Sequence, residues 1–187
     1  MNLLSLEQSP SVYRADFALY AGAVLVLTTW LLVNGPQAQW PWLAACVFAG
    51  LAGWTAIEYG LHRFVLHGLQ PFARWHAEHH RRPTALICAP TLLSGSLIGG
   101  LVFLPAWLLS DYWHAEAVTL GVLVGYLAYA VTHHATHHWR ADNAWLKRRK
   151  RWHALHHQAG APAACYGVTS GFWDRVFGST RRAPRPA

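Results

Sequence analysis

Histidines at helical spacing are the residues of this chain with chemistry to offer. Thirteen occur in 187 residues, and twelve fall into four groups. His62 and His67 make the first. His76, His79 and His80 form an HxxHH, and His153, His156 and His157 form a second. Between these two lie His133, His134, His137 and His138. Positions i, i+3 and i+4 of a helix share a face. Each HxxHH is therefore expected to present three imidazoles together, and His133 with His137, or His134 with His138, presents two more. His62 and His67 are five apart, about 140° around an ideal helix, so they serve different metals or sit where the helix distorts. Imidazoles gathered in this way bind metal. A closed zinc site needs about four ligands, so roughly ten well-spaced imidazoles point to two ions rather than to a single structural zinc. Ligand type alone leaves zinc, copper, iron and nickel open. The Glu and ExxH pairs of soluble di-iron bundles are excluded, because the clusters hold few carboxylates.

The elements that must position these groups are apolar. Hydrophobic residues make up 53% of the chain and charged residues 12%, against about 25% charged in soluble domains. Residues 17–57 carry no charge, and the turn formers of Asn34-Gly-Pro-Gln-Ala-Gln39 divide them in two. A spanning helix needs about 20 apolar residues. The expected helices are Phe17–Val33, Trp40–Ile57, Thr91–Leu109 and Ala117–Thr132, with Ser110–Glu116 as a second turn. The reading is all-α: an integral membrane protein of four transmembrane helices in two hairpins. A cytoplasmic, helical, histidine-rich cap would hold a dinuclear metal site. All fifteen Lys and Arg lie before residue 17, within 58–82 or after 139, which places both termini and twelve histidines on the cytoplasmic side. Trp40, Trp42, Trp107 and Trp113 then form an aromatic belt at the opposite interface.

The net charge of +7 does not signal nucleic acid, since the basic run Lys147–Arg151 sits beside four spans. It reads as an interfacial segment held by anionic lipid head groups. Three cysteines without CxxC spacing indicate no disulfide framework or zinc ribbon. The N-terminus lacks the basic-then-apolar order of a cleavable signal peptide. The expected organisation is a cytoplasmic segment 1–16, a membrane domain 17–179 and a disordered basic tail 180–187. A metal transporter or sensor is disfavoured, because the spans carry no charge at mid-membrane.

From about Trp54 to Ser179 the chain resembles the fatty acid hydroxylase and sterol desaturase superfamily. The resemblance runs through Glu58-Tyr-x-x-His62-Arg-x-x-x-His67, the HxxHH at 76–80, the HxxxH within 133–138 and the HxxHH at 153–157. It closes in Tyr166-Gly-Val-Thr-Ser-Gly-Phe-Trp-Asp-Arg-Val-Phe-Gly-Ser179. The fatty acid 2-hydroxylase branch, which acts on acyl chains of sphingolipids, is the nearest likeness.

That resemblance implies two iron ions and insertion of one oxygen atom from O2 into a C–H bond of a lipid; zinc is expected to replace iron on overexpression, because N-donor sites bind it more tightly than Fe(II). The family pattern Tyr-x-x-x-His-x-x-x-His-His falls on Tyr129 to His138 and selects His133 and His137 over His134 and His138. The implied ligands are His62, His67, His76, His79, His80, His133, His137, His153, His156 and His157, with no catalytic residue beyond them. Ala130 stands where relatives often carry Asp, which removes one hydrogen bond behind a ligand. Relatives often carry a fused cytochrome b5. This sequence has no haem-binding segment, so a separate cytochrome b5-like protein, or a ferredoxin and its reductase, is expected to supply electrons. Sterol or carotenoid hydroxylation and desaturation use the same ligand spacing. A bacterial inner membrane is the expected location, with the endoplasmic reticulum as the alternative. Glu58 and Glu78 are candidates to fix imidazole tautomers, and Asp174 with Arg175 to anchor the closing segment. Phe72 and Trp75 could wall a lipid cavity.

Overall fold

The computed structural model describes residues 7–160 and 162–181, so most of the tail 180–187 and the first six residues lie outside it. Among these residues eight α-helices follow one another: α1 (Pro10–Asn34), α2 (Trp40–Gly60), α3 (Phe72–Arg81), α4 (Thr91–Ile98), α5 (Leu104–Leu109), α6 (Tyr112–His138), α7 (Ala144–His156) and α8 (Phe172–Val176). A 3₁₀ turn, Gln37–Gln39, precedes α2. Two π-helical turns, Leu61–Leu66 and Gly99–Phe103, extend α2 and join α4 to α5. Among the described residues the only β pairing is an isolated bridge between Glu7 and Ile87. Among the described residues, four segments are long and apolar enough to cross a membrane: Pro10–Asn34, Gln37–Leu66, Thr91–Leu109 and Tyr112–His138.

Each span is close to its expected place, and the differences have local causes. The first begins at Pro10 rather than Phe17. The Ser9 hydroxyl accepts from Val12 N and Pro10 takes the first helical position, a combination that starts helices well. Asp16 therefore lies inside the helix, buried, where the Thr91 hydroxyl donates to it. The fourth span begins at Tyr112 rather than Ala117, because Asp111 Oδ1 accepts from Trp113 N at 2.8 Å and His114 N at 3.0 Å. Glu116 consequently sits inside α6, 2% exposed, instead of in a turn.

The chain divides into two compact units, Met1–Trp54 with Leu86–Leu127, and Thr55–Ala85 with Ala128–Ala187. In the first, Leu31, Leu43, Ala117 and Leu120 form a buried cluster against Val24, Leu27, Val47 and Val124. Two glycines bring α2 and α6 into backbone contact. A Cβ on Gly50 would stand 2.1 Å from the Val118 carbonyl oxygen, and one on Gly121 equally close to that of Val47. Such small-residue crossings let membrane helices gain dispersion contacts that lipid cannot offer. Nearby, Tyr126 packs edge-on against Tyr20 and Trp54 at 4.6 and 5.4 Å.

The second unit is organised around its closing segment. The Asp174 carboxylate is fully buried and accepts from Tyr166 N, Gly167 N and the Ser179 hydroxyl, each at 2.8 Å. Its oxygens serve those donors rather than Arg175. Glu58 accepts from Val168 N at 2.6 Å, Thr169 N at 3.0 Å and the Thr169 hydroxyl. Trp173 Nε1 donates to the Thr55 hydroxyl, and Tyr59 stacks on Phe177. Arg149, in the middle of the basic run, is buried and donates to the Val168 carbonyl. That residue is therefore structural, while Lys147, Arg148 and Arg151 remain exposed.

Candidate metal centre

All twelve clustered histidines belong to the second unit. Ten of them gather into two groups of five. His62, His67, His76, His80 and His156 form one; His79, His133, His137, His153 and His157 form the other. Within each, one ligand nitrogen per ring lies within 4.8 Å of all the rest. His134 and His138 join neither group and stack on each other at 4.5 Å.

The expectation that each HxxHH keeps its three rings together does not hold. In the first, His76 and His80 enter one group and His79 the other; in the second, His153 and His157 go one way and His156 the other. The reason is helical. Positions i and i+4 are about 40° apart, whereas i+3 lies about 100° from i+4, so a helix lying between two centres deals its rings to both. The groups touch where His80 stacks on His157 at 4.1 Å.

His62 and His67 share a group because the helix distorts. The π-helical turn Leu61–Leu66 contains His62 and ends at His67, and i→i+5 bonding brings residues five apart towards one face.

The first group carries its own argument for a cation. His62 Nδ1 lies 2.6 Å from the Tyr166 carbonyl oxygen, and His156 Nδ1 lies 2.8 Å from that of Ala164. A carbonyl only accepts, so both Nδ1 atoms carry protons and both neutral rings present Nε2 lone pairs. Three Nε2-to-Nε2 contacts join those two rings: His62–His76 at 3.0 Å, His76–His80 at 3.1 Å and His80–His156 at 3.1 Å. Donors and acceptors must alternate along such a path, and three steps cannot connect two acceptors. Neutral imidazoles therefore cannot satisfy the set by hydrogen bonding. A proton on Nε2 of His62 or His156 would restore alternation, but burial holds His156 at about 3, and His62, 2% exposed, would carry an unsolvated charge. A metal ion resolves the conflict. Nitrogens about 2.0–2.1 Å from one ion and roughly at right angles stand about 3 Å apart.

The second group fits by another observation. Both ring nitrogens of His79 and His157, and Nδ1 of His153, are buried without a hydrogen-bond partner among the described residues. Unpaired buried polar atoms are costly, and a cation converts lone pairs into bonds. Burial keeps rings of both groups neutral, as ligands must be: His79 and His156 fall to about 3, His67 to about 4 and His157 to about 2. The donor set is all nitrogen, with no Asp or Glu in either group.

Among the described residues, neither candidate carboxylate is hydrogen-bonded to an imidazole. Glu58 holds the backbone of Val168 and Thr169, and Glu78 pairs with Arg81 and Arg82. The hydrogen-bond partners that fix imidazole tautomers are the carbonyls of Ala164 and Tyr166. A main-chain acceptor leaves no mark in residue type; the only hint is the dense closing segment that carries them. Phe72 and Trp75 pack edge-on against each other at 5.5 Å.

The chain is also similar to known proteins. The fatty acid hydroxylase family profile matches residues 47–179, which include all ten histidines. The chain is 35% identical over 148 residues to the ceramide very long chain fatty acid hydroxylase of Schizosaccharomyces pombe, covering 70% of this chain and 40% of the relative. It is 32% identical over 154 residues to a dihydroceramide fatty acyl 2-hydroxylase of Arabidopsis thaliana, covering 74% and 62%. This chain thus spans about two fifths to three fifths of those relatives. A solved structure of full-length scs7p, with only the hydroxylase domain visible, aligns at a TM-score of 0.78 and 26% identity, over 97% of this chain and 71% of that one.

Proposed function

Because this multi-pass membrane chain belongs to the fatty acid hydroxylase family, we propose that it is a di-iron oxygenase that hydroxylates a lipid acyl chain, at C-2. The observation that carries the reading is the pair of five-histidine groups inside the matched region. We assign His62, His67, His76, His80 and His156 to one ion, and His79, His133, His137, His153 and His157 to the other. Zinc replaces iron when the protein is overproduced, since N-donor sites favour it over Fe(II).

Iron bound there would supply O2 activation and insertion of one oxygen atom into a C–H bond. Insertion consumes O2, two electrons and two protons for each hydroxyl and water formed, so an external donor is a partner in the reaction. A cytochrome b5-like protein or a ferredoxin with its reductase suits that role. The chain's own residues do the positioning. The Tyr166 and Ala164 carbonyls direct His62 and His156, and burial keeps the rings unprotonated. The reading extends to a dinuclear site in a cytoplasmic cap, four spans in two hairpins, both termini cytoplasmic and a bacterial inner membrane. The one-sided distribution of Lys and Arg supports that orientation. A metal site at helix ends would also meet the carbonyl end of a lipid, which lies at the same interface.

The test is to express the protein with a reductase system and feed deuterated fatty acid under labelled O2. Loss of one deuterium at C-2 with one labelled oxygen in the product is the expected result. A new double bond without added oxygen would make the protein a desaturase. A hydroxylated sterol or carotenoid, with acyl chains untouched, would keep the chemistry and remove the substrate.

A further inference from the structure

The two histidine groups are supported differently, and one short turn makes the difference. Cys165 is fully buried and has φ +58°, the only non-glycine residue at positive φ among those described. Left-handed backbone is costly for a residue with a side chain, and it persists where surroundings impose it. Here it sits between the two carbonyls, of Ala164 and Tyr166, that accept from His156 and His62. The turn is tied down on every side. Cys165 N donates to the Ser179 carbonyl, Tyr166 N and Gly167 N to Asp174, and Val168 N to Glu58. A Cβ on Gly167 would strike the Ser170 carbonyl oxygen at 1.9 Å, so the backbone is packed against itself. Both orienting carbonyls serve the His62 group. In the His79 group, three rings keep buried nitrogens that meet no acceptor among the described residues.

We propose that the Ala164–Tyr166 turn is a retention clamp for the ion of the His62 group alone, so that this chain holds its two ions unequally. The inference rests on the two-ion reading above. A ring whose far nitrogen is fixed is already aimed at its ion and need not be ordered on binding, whereas the rings of the His79 group must be. Losing such orienting bonds typically costs 10–100-fold in metal affinity. The His79-group ion is therefore the exchangeable one. Cys165 acts here through its backbone conformation, not its thiol.

The experiment loads the full chain in detergent with zinc, adds excess chelator and follows zinc per chain by mass spectrometry of the desalted protein. Two ions at time zero, one leaving about 10–100-fold faster than the other, is the expected wild-type result. His79→Ala should start with the slow ion only. Cys165→Gly, which accepts positive φ, should keep the slow phase although it loses the side chain. Cys165→Val, whose branched side chain resists that φ, should lose it. Should the Val variant fail to fold, Asp174→Asn tests the same turn by disturbing the acceptor of Tyr166 N and Gly167 N. A single rate for both wild-type ions, loss of the slow ion in His79→Ala, or a slow phase unchanged in folded Cys165→Val or Asp174→Asn would overturn the clamp. Fewer than two ions at time zero would instead refute the two-ion reading beneath it.

Discussion

Glu58 offers the sharpest test of how the second unit is built. Its carboxylate is 4% exposed and takes two backbone N–H groups and one hydroxyl from Val168 and Thr169. Glu58→Ala would strand three donors in a site with little water. At about 1–3 kcal/mol for each orphaned buried donor, with the half-buried Thr169 groups at the low end, the loss should be about 3–6 kcal/mol. For a chain of this size that is roughly 6–24 °C in melting temperature. Glu58→Gln should be much milder. Its carbonyl oxygen can take both N–H groups, and its amide can donate to the Thr169 hydroxyl, so only the assistance of charge is lost. The assay is thermal unfolding of both variants in the same detergent. If Glu58→Ala melted within about 3 °C of wild type, or Glu58→Gln fell as far as Glu58→Ala, hydrogen-bond satisfaction would not be what Glu58 provides.

Three further outcomes are expected. His134→Ala and His138→Ala should leave metal content near wild type, whereas His133→Ala and His137→Ala should each lower it, as elemental analysis of folded protein would reveal. Metal-free protein should weaken on acidification: His79 and His156, each at about 3 when folded, stay neutral where the unfolded chain, near 6.5, takes up protons. Stability is then full above pH 6.5 and falls by about 1.4 kcal/mol per pH unit for each ring between about pH 6 and 4; a flat stability profile over that window would refute the burial argument. Gly121→Val should force α2 and α6 apart and cost about 1–3 kcal/mol or more, read as a lower melting temperature with secondary structure retained.

The sequence carries the ten histidines openly, since polar rings at i, i+3 and i+4 beside apolar spans have few other uses. Their sorting between two groups is not legible, because the same HxxHH would read identically if a helix faced one centre or lay between two. The partnership of His62 with His67 depends on a π-helical turn, and nothing in Leu61–Leu66 distinguishes it from an α-helical stretch. Span boundaries were displaced for a simpler reason. Charge-free runs mark where a helix is apolar, while Ser9 with Pro10, and Asp111, mark where its hydrogen bonding starts. The inward turn of Arg149 is hidden in a run of five basic residues until helical phase is fixed by His153 and His156 on the same face.

The span Thr91–Leu109 exposes one side along its length: Leu92, Leu101, Leu108 and Leu109 are 71–87% exposed, and Ile98 is its one buried residue. At about 1.5 Å per residue its 19 residues reach about 28 Å, just short of a typical hydrocarbon thickness of about 30 Å. It has no length to spare for tilting. A thicker bilayer must pinch inward around it, at a cost of fractions of a kcal/mol for each ångström. Membrane thickness is thus a physical variable in where this protein settles, and detergents of different chain length will not be equivalent hosts for it.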